Sequence, residues 1–246
     1  MKILTFDIET SPHLSFHFGR WQQNIPYQNT VSESSVSCWA AKWLDEDNVM
    51  FMSEWKDGYE PMMTEMWELL EEADAVVGFN SDKFDIKRVN SEFLRLGWTP
   101  PSPYASIDLF KQAKKHFAFS SNRLKDLLEE LGLSPKLETV GGMKLWMGVY
   151  FEEEWAQKRM RLYNIQDVWS TEEFYDYMLG WISPHPNWGL FVNDDNPVCP
   201  NCASTNMKKH KIRRTKVRKY QQWQCQDCGS YHRGRKSLET TDGVLA

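Results

Sequence analysis

No apolar run in this chain approaches the ~20 residues that a bilayer-spanning helix needs, although 41% of its residues are hydrophobic. The opening MKILTFDIET lacks the unbroken apolar stretch of a secretory leader, because acids interrupt it at Asp7 and Glu9. Cysteine is scarce: there are five in 246 residues, and four of them fall in two Cys-x-x-Cys pairs. No internal repeat is present. These absences argue against a membrane protein, a disulfide scaffold and a solenoid. They lead to the expectation of a soluble, cytoplasmic chain with no membrane partner, long enough for one sizeable core and a small appendage.

Charge is unevenly spread. From Pro197 to Ala246 there are eleven Lys or Arg against three Asp or Glu, a net of +8, whereas residues 1–196 carry a net of −13. Such a split predicts two units with different jobs. A basic unit joined to an acidic one is a way to hold a polyanion near a metal site. A charged tail kept for solubility is the plainer alternative.

The apolar pattern predicts strands over Lys2–Ile8, Val36–Leu44, Asn48–Trp55 and Ala75–Phe79. Helices are expected from Pro61, over Phe84–Leu96, Asp108–His116 and Arg123–Leu131, and over a long span from Glu153 to Leu179. Three antiparallel strands, a helix, a strand and then helices fit an α/β domain with a mixed sheet. The stretch 181–196 reads as a linker, 197–236 as a second domain and 237–246 as a flexible tail.

Four acids then stand out. Asp7 and Glu9 in FDIET lie two apart on the most apolar strand, so alternation puts both on one face. A buried charge there is costly unless paired or metal-bound. Asp85, in FNSDKFD, falls at a strand-to-helix junction, where helix capping also explains an acid and where Asp82 competes for the same role. Asn80 suits the fixing of that loop and is also a candidate for nucleic-acid contact. Tyr163 and Asp167, in YNIQD, are four apart on the long helix and share a face. Asp108 precedes an apolar helical run and is read as a cap. Converging carboxylates repel one another, and two divalent ions would offset that repulsion.

FDIET, the Asn80–Asp85 phrase and YNIQD, in that order and on strand, junction and helix, resemble the three motifs of the DnaQ-like (DEDD) 3′–5′ exonuclease superfamily in its tyrosine variant. The resemblance covers about residues 1–180. SIDLF, SSNRLKDLLEELGL and KLW add a likeness to predicted exonucleases of phages and bacteria, which would place the chain in a bacterial or host cytoplasm. It implies a ribonuclease H-like fold, with a mixed five-stranded sheet flanked by helices. It also implies that Asp7, Glu9, Asp85 and Asp167 hold two Mg²⁺ or Mn²⁺ ions, one to activate a water and one to stabilise the leaving 3′ oxygen. Tyr163 would orient that water, and nucleoside 5′-monophosphates would leave. Oxygen ligands favour Mg²⁺ or Mn²⁺ over zinc. DNA with a single-stranded 3′ end is the expected substrate. RNA, and a non-catalytic module that binds nucleic acid or replication proteins, remain as alternatives.

Cys199-x-x-Cys202 and Cys225-x-x-Cys228, with 22 residues between the pairs, suit a tetrahedral Cys₄ zinc site on a ribbon. Four thiolates leave no open coordination position, so the zinc is structural and supplies folding energy to about fifty residues. Cys38 lies within a predicted strand and reads as a core residue. Between the knuckles, Lys208, Lys209, Lys211, Arg213, Arg214, Lys216, Arg218 and Lys219 are candidates for phosphate contact. Tyr220, Trp223 and Tyr231 are candidates for base stacking, with packing inside the ribbon as the alternative.

Overall fold

The computed structural model describes residues 1–19, 21, 24–134, 142–192 and 196–239. It divides into two compact units, Lys2–Phe174 and Tyr175–Ala246, with Met1 grouped with the second.

In the first unit the chain forms β1 (Ile3–Thr10), β2 (Leu14–Ser15), β3 (Thr30–Ser32), β4 (Val36–Trp43) and β5 (Met50–Ser53). Helices α1 (Glu54–Asp57) and α2 (Tyr59–Glu72) follow, then β6 (Ala75–Gly78), α3 (Asp85–Arg95) and β7 (Ala105–Asp108). Helices α4 (Leu109–His116), α5 (Leu124–Leu131), α6 (Met143–Tyr150) and α7 (Glu154–Met178) close the series, with the end of α7 from Tyr175 counted in the second unit. The main sheet has five strands in the order β5-β4-β1-β6-β7. β4 is antiparallel to β1 and β5, whereas β6 is parallel to β1 and β7. This is the mixed five-stranded sheet with flanking helices expected of a ribonuclease H-like fold.

β1 divides the interior. Its even residues Leu4, Phe6 and Ile8 are buried with Trp39 and Ala41 of β4, Met62, Met66 and Leu70 of α2, and Val89 and Phe93 of α3. The Trp39 indole donates to the Met62 carbonyl at 2.8 Å, which fixes α2 on that face. Cys38, buried on β4, belongs instead to a cluster with Leu145 and Val149 of α6 and Ala156 and Met160 of α7. Cys38 lies opposite Glu9 and Ala40 opposite Asp7, so the odd residues of β1 share the sheet face with that second cluster.

α7 is held to β4 by a buried ion pair. Lys42 Nζ meets Glu172 Oε1 at 2.7 Å, with the two side chains only 3% and 12% exposed. The ammonium also lies 4.8 Å from the centre of the Trp169 ring. At the far end of the sheet, Gly78 ends β6 where an added Cβ would come within 2.5 Å of Ser81. Glycine is therefore what lets the following loop fold back tightly.

Three features differ from expectation. The fifth strand, β7, lies in a stretch expected to be loop and helix start: it is four residues long, and only its last two, Ile107 and Asp108, are buried. α6 follows the left-handed Gly142 (φ 54°) with no capping side chain to announce it. β2 and β3 are two and three residues long, too short to show a period.

The second unit carries an antiparallel sheet of β8 (Met207–Arg214), β9 (Lys219–Cys225) and β10 (Tyr231–Glu239), in the order β10-β9-β8. Asn201 donates to the carbonyls of Leu179 and Ile182 at 2.8 and 3.3 Å, and Ile182 is 2% exposed. The start of the stretch expected as a linker is therefore packed within this unit. β10 runs three residues into the expected tail, and residues 240–246 lie outside the described residues. No helix among the described residues is long and apolar enough to cross a membrane.

Lys42→Met strands the Glu172 carboxylate in a buried setting. It should lower the stability of the first unit, Lys2–Phe174, by about 3–5 kcal/mol, and pairing it with Glu172→Leu should restore most of the loss. Urea denaturation of the two variants checks this, and equal loss in both would refute the clamp.

Candidate functional site

Alternation along β1 carries Asp7 and Glu9 to the face beneath α6 and α7. Carboxylate oxygens of Asp7, Glu9 and Asp167 lie within 4.8 Å of one another. Asp167 is 3% exposed, and Asp7 and Glu9 are half-buried. Cys38 registers the field they create: burial first, then the charges of Glu9 and Asp7, hold its thiol well above the usual range.

Asp85 stands beside this group rather than within its 4.8 Å circle. It is the first residue of α3 and is 5% exposed. The β1–β6 ladder stops with Thr5 opposite Val77, and past that end Asp85 Oδ1 accepts the backbone N–H of Ile8 at 3.3 Å. Its carboxyl therefore meets the chain between Asp7 and Glu9. Asp82 goes elsewhere, to Lys111 Nζ at 2.7 Å and to the Ser106 hydroxyl. Asp108 caps α4 by accepting from the N–H groups of Phe110 and Lys111, and it also accepts from Asn80 and Asp82. Burial pushes its carboxyl above the usual range, against the pull of those N–H donors. Asn80 takes a left-handed φ of 63°, and its carbonyl accepts from Lys83 and Phe84, so its backbone fixes the loop that delivers Asp85.

Two supporting residues were not anticipated. Asn164, fully buried on α7, donates from Nδ2 to Asp7 Oδ2 at 2.7 Å and to the Asp7 carbonyl at 3.2 Å. Trp146, on α6, donates its indole N–H to Glu9 Oε2 at 2.9 Å. Its ring also meets Tyr163 edge-on, with centroids 6.2 Å apart. The signal for Asn164 was its place three residues before Asp167, on the same helix face. Trp146 lay in the phrase KLW, whose helix the sequence does not announce. The donor set, hard carboxylate oxygens crowded in a half-buried cleft, fits a divalent cation of the Mg²⁺ or Mn²⁺ type.

The second unit holds a different donor set. No disulfide joins the four cysteines, and the Cys199 and Cys228 sulfurs lie 3.6 Å apart, as do those of Cys202 and Cys225. All four sulfurs lie within 4.8 Å of one another. A tetrahedron of ~2.3 Å Zn–S bonds has edges of about 3.8 Å, so the spacing fits zinc and is far too long for a disulfide. Burial pushes the Cys202 and Cys228 thiols up. Burial also opposes ionisation of Cys225, yet the N–H groups of Cys228 and Asp227 pull its pKa below the usual value. The Ser230 hydroxyl contacts Cys228 and Cys199 at 3.0 and 3.3 Å. Each knuckle turns through a left-handed residue after its second cysteine, Ala203 (φ 60°) and Gly229 (φ 79°).

The candidate basic residues lie on the hairpin between the knuckles. Lys208, Lys209, Lys211, Arg213 and Arg214 are exposed on β8, Lys216 and Arg218 are exposed in the turn, and Lys219 begins β9 half-buried. β10 adds exposed Arg233, Arg235 and Lys236, which the sequence reading did not include. Tyr220 is 9% exposed beneath the Arg233 guanidinium, 4.5 Å from its ring centre. Trp223 is half-buried with Lys209 over it at 5.7 Å. Tyr231 is 49% exposed and meets His210 edge-on.

The fold and its carboxylate cleft define an RNase H-like domain, followed by a Cys₄ ribbon. Residues 4–179 match the RNase_H superfamily, and the chain belongs to that superfamily. Residues 170–231 match the transposase zinc-ribbon domain. Among solved structures, the chain resembles the family B DNA polymerase from the hyperthermophilic archaeon Pyrobaculum calidifontis, at 18% identity and a TM-score of 0.55. The match covers 73% of this chain and 24% of the polymerase, so the chain spans about a quarter of that protein's length, and the likeness concerns the fold. No curated protein sequence matches the chain.

Two outcomes follow from this geometry. Elemental analysis should find one zinc per chain, and Cys199→Ser should lose it and unfold the second unit; full zinc content in Cys199→Ser would refute the four-sulfur site. Trp146→Phe, which removes the donor to Glu9 and trims the ring beside Tyr163, should weaken Mn²⁺ binding about 10- to 100-fold by calorimetric titration, with unchanged affinity as the opposing result.

Proposed function

We propose that the chain is a metal-dependent 3′–5′ exonuclease that hydrolyses phosphodiesters at the 3′ ends of DNA, single-stranded ends above all, and releases nucleoside 5′-monophosphates. The observation that carries this reading is the convergence of Asp7, Glu9 and Asp167 within 4.8 Å, with Asp85 reaching the same strand at Ile8. Membership of the RNase_H superfamily supports it.

Asp7, Glu9, Asp85 and Asp167 would hold two Mg²⁺ or Mn²⁺ ions. Bound there, the ions supply positive charge for water activation and for the departing 3′ oxygen. The rest falls to the chain's own side chains. Asn164 holds the Asp7 carboxylate against α7, and Trp146 holds that of Glu9. Tyr163, one turn before Asp167 and braced by the Trp146 ring, orients the attacking water through its hydroxyl. No side chain forms a covalent bond to phosphorus, so the attacking water ends on the released 5′-phosphate.

The ribbon supplies what an acidic cleft lacks. Its eight candidate cations, joined by Arg233, Arg235 and Lys236, meet backbone phosphates without regard to sequence. Tyr231 is the exposed ring of the sheet and the one suited to stacking. Tyr220 is the least exposed of its three aromatic candidates, so its contribution is to hold Arg233.

A 5′-labelled oligonucleotide digested with Mg²⁺ or Mn²⁺, as DNA and RNA side by side, tests the reading. A DNA ladder shortening from the 3′ end is expected, and Asp7→Ala should reduce cutting to background. A ladder on RNA alone would keep the chemistry and overturn the substrate. Tight binding with no cleavage of either strand would overturn the enzyme.

A further inference from the structure

Two residues after Glu9 the chain leaves the sheet as an arm. Ser11 N–H donates to the Ser35 carbonyl at 2.9 Å, and Ser35 N–H returns to the Ser11 hydroxyl at 3.0 Å, which pins the base. β2 then pairs with β3, Leu14 opposite Ser32 and Ser15 opposite Thr30, and Phe16 N–H donates to the Asn29 carbonyl at 2.9 Å. Beyond that clamp the rings face water. Phe16 is 76% exposed, Phe18 fully exposed and Tyr27 81% exposed, and Trp21 is 84% exposed. A soluble domain ordinarily buries such rings, and a patch of them marks a surface that binds something.

Charge narrows what that is. Residues 11–32 contain no Asp or Glu, although residues 1–196 as a whole carry a net of −13. The arm carries no acid of its own, and Glu33 just past its end is met by the His13 imidazole at 3.0 Å, so a polyanion meets fewer like charges there than over residues 1–196 as a whole. Position narrows it further. A cavity of about 450 Å³ has Ser11 and Ser35 at the base of the arm, Trp146 and Tyr150 of α6, and the acids Glu54 and Glu152 in its wall, so what it favours is a base or sugar rather than a phosphate. Trp146 is the residue that bonds Glu9. The arm's base and the support of the acid cluster are therefore walls of one cleft.

We propose that Phe16, Phe18 and Tyr27 form a stacking platform for the unpaired bases of a nucleic-acid strand whose end lies in the acid cleft. The proposal rests on the nuclease reading for what the cleft holds. Every base has an aromatic face, so stacking on exposed rings holds a strand without reading its sequence. The ribbon cations act on phosphates, whereas the arm acts on bases, so the two surfaces respond to different features of one ligand.

That difference gives the test. In an Asp7→Ala background, which leaves the strand uncut, fluorescence anisotropy compares a labelled polythymidine strand with an abasic strand of equal length. Phe16→Ala/Phe18→Ala/Tyr27→Ala should weaken polythymidine binding about tenfold or more while leaving the abasic strand's affinity in place. Phe18→Trp should hold or raise the affinity for polythymidine. All of these positions are exposed, so matching melting curves establish that the variants fold. Equal polythymidine affinity in the triple variant and its parent would overturn the platform and assign the arm to a protein partner instead. Equal losses on both strands would overturn it too, since stacking cannot act on a strand without bases. Failure of the parent chain to cut any strand would sink the nuclease reading, and this titration would still decide the arm.

Discussion

Side chains on a β-strand alternate, and β1 is where that constraint shapes the first unit. Leu4, Phe6 and Ile8 must go one way, into the core with α2 and α3. Asp7 and Glu9 must then go the other way, onto the face with Cys38, Ala40 and Lys42 of β4. A one-residue slip of register would bury both acids in the core and expose Phe6, so hydrophobic burial on one face enforces acid convergence on the other. α7 completes the arrangement. Its Asn164 and Asp167 face the acids, and its Glu172 meets Lys42 in the buried ion pair that fixes the helix in place.

The chain contains two clusters that electrostatics alone would push apart. Carboxylates crowded in a half-buried cleft repel one another, and burial holds the Cys202 and Cys228 thiols above their usual range. Each donor set suits a different cation: hard oxygens match Mg²⁺ or Mn²⁺, and soft sulfurs match zinc. The consequences differ as well. The cysteines close around their ion and lend it to folding, in a unit whose three-stranded sheet exposes nearly all of β8. The carboxylates sit in an RNase H-like sheet that already has a large apolar core, so an ion held there would not be needed for folding.

The legible parts of this molecule were those with a period or a fixed spacing. Alternation placed Asp7 and Glu9 on one face, helical spacing put Tyr163 and Asp167 one turn apart on α7, and the paired Cys-x-x-Cys pattern marked the sulfur cluster. What stayed hidden lacked such a pattern. β7 offers four residues after three prolines, and Asp108, the last of them, also reads as a helix start. α6 begins from a glycine with no cap, so Trp146 had no element to point from. Choosing between Asp82 and Asp85 needed three dimensions, because both lie at the same junction and only tertiary partners separate them: Lys111 for one and the Ile8 N–H for the other. Asn164 was written in plain view inside YNIQD, but an asparagine on a helix announces nothing until the strand it bonds is known.

The central claim is that the carboxylates of β1 and α7 form a metal-binding cleft. A crystal soaked in Mn²⁺ and measured at the manganese absorption edge tests it most directly. The account predicts anomalous density among Asp7, Glu9 and Asp167, extending toward Asp85, and its loss in Asp7→Ala. A fully soaked crystal with ordered carboxylates and no manganese between them would contradict it.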